Sequence, residues 1–409
     1  MISPVLAEHL RSGVRVVVGQ ATGEPAGLVA ALFELAPRIG PLEVFCGLSL
    51  NPAWAGEVPA ALCVSTYCGM GTLRKLVSSR RARVIPCSLS HLSSLFESRK
   101  LPVDVVLLQV SPADAQGYHS LGGAVDYVWD ALQVARVIAV EINPNVPVTR
   151  SACRLHTSRV VVALESDTPL PESPAEAPSD AQLNVARRVA RLVPDGATIQ
   201  LGIGGLAVAV GRSLSSHRGL KVRSGMVGDW FPELVASGAI DTITPDACMA
   251  SLGVGSRALY QTLSRDGVLG FAPLARLVVP IAGSPFMAIN SGIEVDLRGQ
   301  VNAEFLGERY VGAVGGQTDY FRAARSSEGG LAILALPSTS GRAGKSRIVP
   351  RIACGHVTSA QSDVDVIVTE NGAADIRATT LEERHMLIAT IADQAARDAL
   401  VRGAIHEPA

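Results

Sequence analysis

Aromatic side chains are scarce in this 409-residue chain, at 4% of the total, and charged residues make up only 18%. Lysine and arginine are scattered singly and the formal net charge is −1. That leaves no basic footprint for nucleic acid and no polybasic membrane anchor. No apolar run reaches the roughly eighteen residues that suggest a bilayer span. The opening MISPVLAEHL lacks the basic-then-apolar order of a secretory signal. Seven cysteines form no C-x-x-C pair and no metal-ligand spacing. No metal site is expected, and the odd, scattered set fits reduced core thiols in the cytoplasm.

What the chain has is apolar residues, 48% of the total, in short β-branched runs bounded by turn residues. Such runs fall at 14–18, 103–110 and 134–142, then at 198–201, 276–281, 331–336 and 364–369. Continuous β-branched runs read as strands buried on both faces. Alternating with helix-length segments, they predict an α/β fold of open, mostly parallel sheets. The acidic segment DTPLPESPAEAPSD (167–180) holds four prolines in fourteen residues, which neither a helix nor a central strand tolerates. The expected division is therefore an N-terminal α/β domain over 1–166, a linker over 167–180 and a second α/β domain over 181–409. The similar architecture on each side predicts a cleft between them. Ser179 or Asp180 is placed to cap a helix running through NVARRVARLV.

Polar and glycine-rich loops follow several of these runs. GQATGEP (19–25) joins a strand to a helix; such a loop can offer backbone donors to a phosphate, and an ordinary βα turn looks the same. LLQVSPADAQGYHSLGG (107–123) crowds Gly, Ser and His119 after a strand, and EINPNVP (141–147) forces an irregular loop. QLGIGGL (200–206) places Gly202, Gly204 and Gly205 at the start of an Ala/Val-rich helix, opening a helix N-terminus to an anion or a thioester carbonyl. The most marked stretch, 290–322, holds the loops NSGIEVD and VGGQTD, where Gly315 and Gly316 let the backbone approach a ligand. Read alone, these are also tight turns. A polar, glycine-rich loop holding Lys345 leads into RIVPRI (347–352), read as a strand with Arg347 and Arg351; the three cations suit phosphates or a solvated face.

In this order, GEP, QVSPxDxxGxxSLG, NPNxP, the glycine loop, NSGIEVD, VGGQTD and IVTENG closely resemble the acetyl-CoA hydrolase/transferase family over essentially the whole chain. The resemblance implies an acyl-CoA enzyme with no tightly bound cofactor and coenzyme A as substrate. A carboxylate or other acyl acceptor is the implied second partner, and a homo-oligomer is usual. It implies that Gly202, Gly204, Gly205, Gln317 and Lys345 face CoA, and that Gly315 and Gly316 donate to an oxyanion. Asn290 would position polar groups, and Glu370 would orient the substrate or handle protons. Family members use a glutamate that attacks the acyl-CoA carbonyl to form an anhydride and then a glutamyl-CoA thioester.

One departure stands out. Where the family carries S-E-M-x-x-D-G, this chain reads SGMVGDW (224–230), so the nucleophile position falls on Gly225. Ser224, Asp229, Glu233 and Glu294 are the neighbouring alternatives, and none is a convincing replacement. Three readings remain open. Water or another acceptor attacks the thioester directly, with Glu370 or Asp229 as general base. An ordinary CoA-transferase has its nucleophile relocated. The chain is a non-catalytic, CoA-thioester-binding subunit. With so few aromatics, the sequence does not name the acyl group.

Overall fold

A computed structural model describes residues 3–265, 267–341 and 344–406. The chain forms two compact units, Met1–Ser173 with Cys248–Leu277, and Pro174–Ala247 with Val278–Ala409. The first crossing falls inside the proline-rich segment; the excursion over 248–277 has no compositional mark in the sequence.

The first unit is built on a sheet of seven strands in the order Val162–Glu165, Val137–Ile142, Val105–Val110, Arg15–Val18, Leu42–Cys46, Leu62–Thr66, Ala82–Val84. Every pairing is parallel. The chain starts in the middle at Arg15–Val18 and runs outward to Ala82–Val84. It then returns to the other side of its first strand with Val105–Val110. All six residues of VVLLQV are buried, as expected of a central parallel strand covered on both faces. Strands Cys248–Gly253, Gly270–Phe271 and Arg150–Ser151 run parallel to one another within the same unit.

In the second unit the order is Gly372–Asp375, Val366–Thr369, Leu331–Ala335, Phe286–Asn290, Thr198–Leu201, Lys221–Val227. Only the edge strand Gly372–Asp375 is antiparallel. The winding repeats that of the first unit: Thr198–Leu201 lies inside, Lys221–Val227 to one side, and Phe286–Asn290 begins the return on the other. The expected α/β class with mostly parallel sheets is what both units show. Ser179 caps helix Asp180–Ala190 through a capping box with Gln182, which satisfies two otherwise orphaned N–H groups.

Two expected strands take other forms. Residues 276–281 hold no strand: Leu274–Arg276 is a 3-10 turn after Pro273, and the strand begins at Phe286. Pro280 interrupts the run and has no N–H to give a ladder. In RIVPRI only Ile348–Val349 pairs, with Glu294–Asp296, because Pro350 follows at once.

No helix among the described residues is long and apolar enough to cross a membrane, and none of their acidic, His or Cys side chains cluster as a metal site.

Candidate active site

In a doubly wound sheet, ligands bind outside the carboxyl ends of the strands, in the crevice where the winding reverses. In the second unit that reversal lies between Thr198–Leu201 and Phe286–Asn290. An amide pair sits there. Asn290 Nδ2 donates to Gln200 Oε1 at 2.7 Å, and Gln200 Nε2 donates back to Asn290 Oδ1 at 3.2 Å. The pair fixes which face of each amide is left for a ligand, since each keeps one further N–H and acceptor capacity.

Gly202 and Gly204 follow Gln200 at once, and a methyl group added at either meets no atom within 4 Å. Gly204, at φ +94°, caps helix Gly205–Ser213, a backbone conformation that side chains rarely adopt. The first turn of that helix therefore presents orphan N–H groups on the carboxyl side of the sheet. Trp230 supports the loop from beneath: it is fully buried, rests on Gly211, and donates its indole N–H to Gly202 O at 2.9 Å.

Gly315 (φ +60°) and Gly316 lead into helix Gln317–Arg325, with Gly316 as its N-cap. Gln317 is buried and engaged at both ends of its amide. It donates to Ser291 O at 2.6 Å and accepts from Ser359 Oγ at 2.8 Å. It thus joins the VGGQTD loop to the residue after Asn290 and acts as a fastener for the site. Gln200, Asn290, Gln317 and the two glycine loops are one constellation.

Glu370 follows Val366–Thr369, two strands along the sheet from Asn290, a spacing of about 10 Å. Ser338 grips it: its N–H donates to Oε2 at 2.8 Å and its hydroxyl to Oε1 at 2.7 Å. Asn371 Nδ2 also reaches Ser338 Oγ at 3.2 Å. Burial pulls the Arg347 guanidinium below its usual value while the Glu370 charge opposes that shift. Arg347 Nε is buried without a hydrogen-bond partner. Asp229 precedes helix Trp230–Ala236 and accepts from Ala175 N at 3.3 Å. Lys345 is exposed, in a short pairing of Lys345–Ser346 with Thr339–Ser340.

Gly225 is buried within Lys221–Val227. The Ser224 hydroxyl turns to the carbonyls of Leu201 at 2.8 Å and Met226 at 2.6 Å. Glu233 pairs with Arg212 at 2.9 Å, and Glu294 accepts from Asn302 at 3.0 Å. These side chains are engaged in structural contacts.

In the first unit, two of the marked loops carry structural contacts. His119 lies buried in Tyr118–Ser120, with Nδ1 2.7 Å from Ser111 O and Nε2 3.2 Å from Thr157 Oγ1. It is a satisfied structural histidine. The 19–25 loop is an ordinary turn: Gly19, Ala21, Gly23 and Glu24 donate their N–H groups to Leu107, Leu48, Gln20 and Ala21 carbonyls. The N-terminus of helix Ala26–Ile39 is occupied by the Glu141 carboxyl, which accepts from Gly27 N at 2.7 Å and Leu28 N at 3.3 Å. Sequence reasoning passed over Glu24. It is buried, accepts from Ser49 Oγ at 2.6 Å and from Trp54 Nε1 at 2.7 Å, and burial pushes its carboxyl up to about 7. The only sequence signal for it was a charged residue inside the strand–loop–helix junction.

The N-terminal domain of the acetyl-CoA hydrolase/transferase family matches residues 3–169, and the C-terminal domain matches residues 255–404. The 4-hydroxybutyrate coenzyme A transferase of Clostridium kluyveri is 34% identical over 405 residues, covering 95% of this chain and 92% of that one. The chain belongs to the acetyl-CoA hydrolase/transferase family. The succinyl-CoA:acetate/propanoyl-CoA:succinate CoA transferase of Fasciola hepatica is 30% identical over 97% of this chain and 85% of its own. The crystal structure of RipA from Yersinia pestis superposes with a TM-score of 0.90 at 27% identity, covering 98% and 96% of the two chains. Members of the family are CoA-transferases and acetyl-CoA hydrolases, and this chain is an enzyme of that type.

Proposed function

We propose that this family member acts on a CoA thioester by hydrolysis or direct acyl transfer, without a glutamyl-CoA intermediate. The observation that carries the reading is Gly225: at the place where the resemblance sets the family's nucleophile, this chain has no side chain. The four neighbouring candidates are engaged elsewhere. In this reading the glycine loop at Gly202, Gly204 and Gly205 receives the CoA portion, with the helix N-terminus behind it favouring an anion. The backbone at Gly315 and Gly316 donates to the oxyanion as the thioester carbonyl becomes tetrahedral. Asn290, oriented by Gln200, positions the substrate.

Glu370 is the proposed general base. Ser338 fixes both carboxyl oxygens, yet each retains a lone pair for a proton. A water or another protic acceptor loses its proton to Glu370 as its oxygen bonds to the acyl carbon. Collapse of the tetrahedral species breaks the C–S bond, and the departing thiolate takes up a proton. Lys345, which is exposed, is left to the outer CoA phosphates.

Mass spectrometry of the protein with a panel of acyl-CoAs, with and without acetate, tests the reading. Free CoA or an acylated acceptor, with no borohydride-trappable protein adduct, is expected. A trapped glutamyl adduct would establish an ordinary transferase with a relocated nucleophile. No turnover of any thioester would establish a binding subunit. Gly225→Glu supplies the complementary result: a CoA adduct on the new carboxylate places residue 225 at the reacting carbon.

A further inference from the structure

A second cavity of the second unit, of about 540 Å³, opens at the amino ends of its strands, on the pole of the sheet opposite Glu370. Leu331 begins strand Leu331–Ala335, which leads to Ser338, and Asp365 directly precedes Val366–Thr369, which leads to Glu370. Arg325 ends helix Gln317–Arg325, whose other end is the Gly315–Gly316 turn. Strands of four or five residues put roughly 13–17 Å between the two poles. A small ligand in this cavity is therefore clear of the reacting groups.

Three guanidinium groups, from Arg325, Arg377 and Arg384, line the cavity. Two of them are paired. Arg325 Nε donates to Asp365 Oδ1 at 3.0 Å, and Asp365 Oδ2 accepts from Ala332 N at 2.9 Å. Arg325 Nη1 also donates to the Ser362 carbonyl. Arg377 is bound to Asp375 through Nε at 2.9 Å and Nη2 at 2.6 Å.

Arg384 meets no carboxylate among the described residues. Its Nη1 donates to the carbonyls of Gln361 at 2.8 Å and Arg298 at 3.2 Å, its Nη2 to Ile376 O at 3.0 Å, and its Nε to Thr379 Oγ1 at 3.5 Å. Those oxygens fix the guanidinium without neutralising it. Burial and the neighbouring Arg325 charge both pull Arg384 below its usual value. Three cations against two carboxylates leave one charge uncompensated, on a half-buried side chain. Each guanidinium also keeps at least one N–H beyond these bonds.

We propose that this cavity binds the phosphate group of a small polar phosphate monoester, at a site separate from that of the thioester. Guanidinium forks match phosphate oxygens two N–H groups at a time, and a phosphate monoester carries a charge of about −1.5 to −2 at neutral pH. The Arg325 charge acts on Arg384 and the Asp365 charge on Arg377, so the three groups serve one centre of charge. A dicarboxylate would divide its charge between two. The volume exceeds that of a bare phosphate and lies within the roughly 300–1,000 Å³ of small-molecule sites. No aromatic ring lines the cavity among the described residues, so nothing there stacks a nucleobase. The inference stands independently of the reaction proposed above.

The test is titration calorimetry of the full chain near neutral pH with glycerol 3-phosphate, inorganic phosphate and succinate, at an ionic strength held constant with sodium chloride. Saturable binding of glycerol 3-phosphate is expected, with inorganic phosphate weaker and succinate weaker than both. Arg377→Gln should weaken glycerol 3-phosphate about tenfold, the loss of one hydrogen bond to a charged group, and Arg384→Gln should weaken it more. Gln361→Glu, at an exposed wall position, adds a carboxylate to the cavity while the backbone carbonyl that holds Arg384 remains. It should weaken binding by at least about tenfold with the thioester KM unchanged, and it decides the matter if Arg384→Gln does not fold. Succinate binding as tight as that of glycerol 3-phosphate would overturn the phosphate assignment. No saturable binding by the unaltered chain, or binding that survives Gln361→Glu, would overturn the site. A thioester KM that rises together with the phosphate Kd in Gln361→Glu would place the ligand in the thioester site and overturn the separation.

Discussion

The two units share a winding and differ in what they bury at its reversal. In the first, the crevice holds carboxyl groups in an apolar setting. Burial pushes Glu24 there up to about 7, and in the helix Asp126–Val134 of the same unit, outside the crevice lining, it raises Asp126 to about 7 and Asp130 to about 6. The second unit holds amides, open glycine loops and a carboxyl gripped by a serine, and its half-buried Arg347 and Arg384 are pulled down by desolvation. The same backbone plan thus gives one crevice that holds protons and another that presents fixed donors. The proposed chemistry is assigned to the second, because fixed donors stabilise charge developing on a reacting carbonyl.

The largest effect expected separates the two units by activity. Glu370→Gln should lower thioester turnover by about a hundredfold, the low end of general acid–base contributions, while Asp126→Asn leaves it nearly unchanged. Equal losses would dissolve the contrast, and full activity in Glu370→Gln would remove that residue from the chemistry.

The contrast also predicts how stability depends on pH. Glu24 titrates at 4.5 in an unfolded chain and about 7 in the folded one; Asp126 moves from 3.8 to about 7. The folded state therefore binds more protons than the unfolded one across that interval. The stabilisation is fully present below about pH 4 and lost as pH rises through about 7, on the order of 3 kcal/mol for each group. Calorimetry from pH 5 to 8 should show a falling melting temperature, and Glu24→Gln with Asp126→Asn should flatten it. A flat profile in the unaltered chain would mean that the first unit does not hold these protons.

Two glycines sharpen the comparison further. A Cβ at Gly47 would lie 2.4 Å from Gln20 Oε1 and 2.8 Å from the rings of Tyr67 and Tyr127. Gly47→Ala should cost about 1–3 kcal/mol by overpacking. Gly202→Ala meets open space, so its stability should stay within about 0.5 kcal/mol while KM for the thioester rises. Equal destabilisation by the two would contradict the packed-against-open distinction. A modest effect confined to stability belongs to a support outside either crevice: Ser179→Ala removes a capping box and should cost about 1 kcal/mol in chemical denaturation, with KM unchanged.

Much of the fold was legible because parallel strands buried on both faces write themselves as short apolar runs. The run at 105–110 and the run at 198–201 became central strands with little change. The run at 276–281 failed because apolar composition does not outweigh Pro280 and the 3-10 turn after Pro273. In the candidate site, Asn290 and the glycine loops were readable as polar breaks in apolar surroundings. Gln200 was not singled out, since its meaning comes from an amide ninety residues away. Ser338 and Glu24 were missed for the same reason: Ser338 matters through Glu370, 32 residues on, and Glu24 through Ser49 and Trp54. His119 could not be assigned from its crowded loop, because only distant partners engage both of its ring nitrogens.

The sequence by itself determined the α/β class, a helix cap at Ser179 or Asp180, the glycine openings and the absence of a side chain at Gly225, all of which depend on local residue chemistry and spacing. Only the tertiary structure decided which polar groups are satisfied and which remain available. Hydrogen-bond saturation and desolvation are set by partners distant in the chain, and those partners alone turn Glu24 into a proton-holding group and Glu370 into a fixed one.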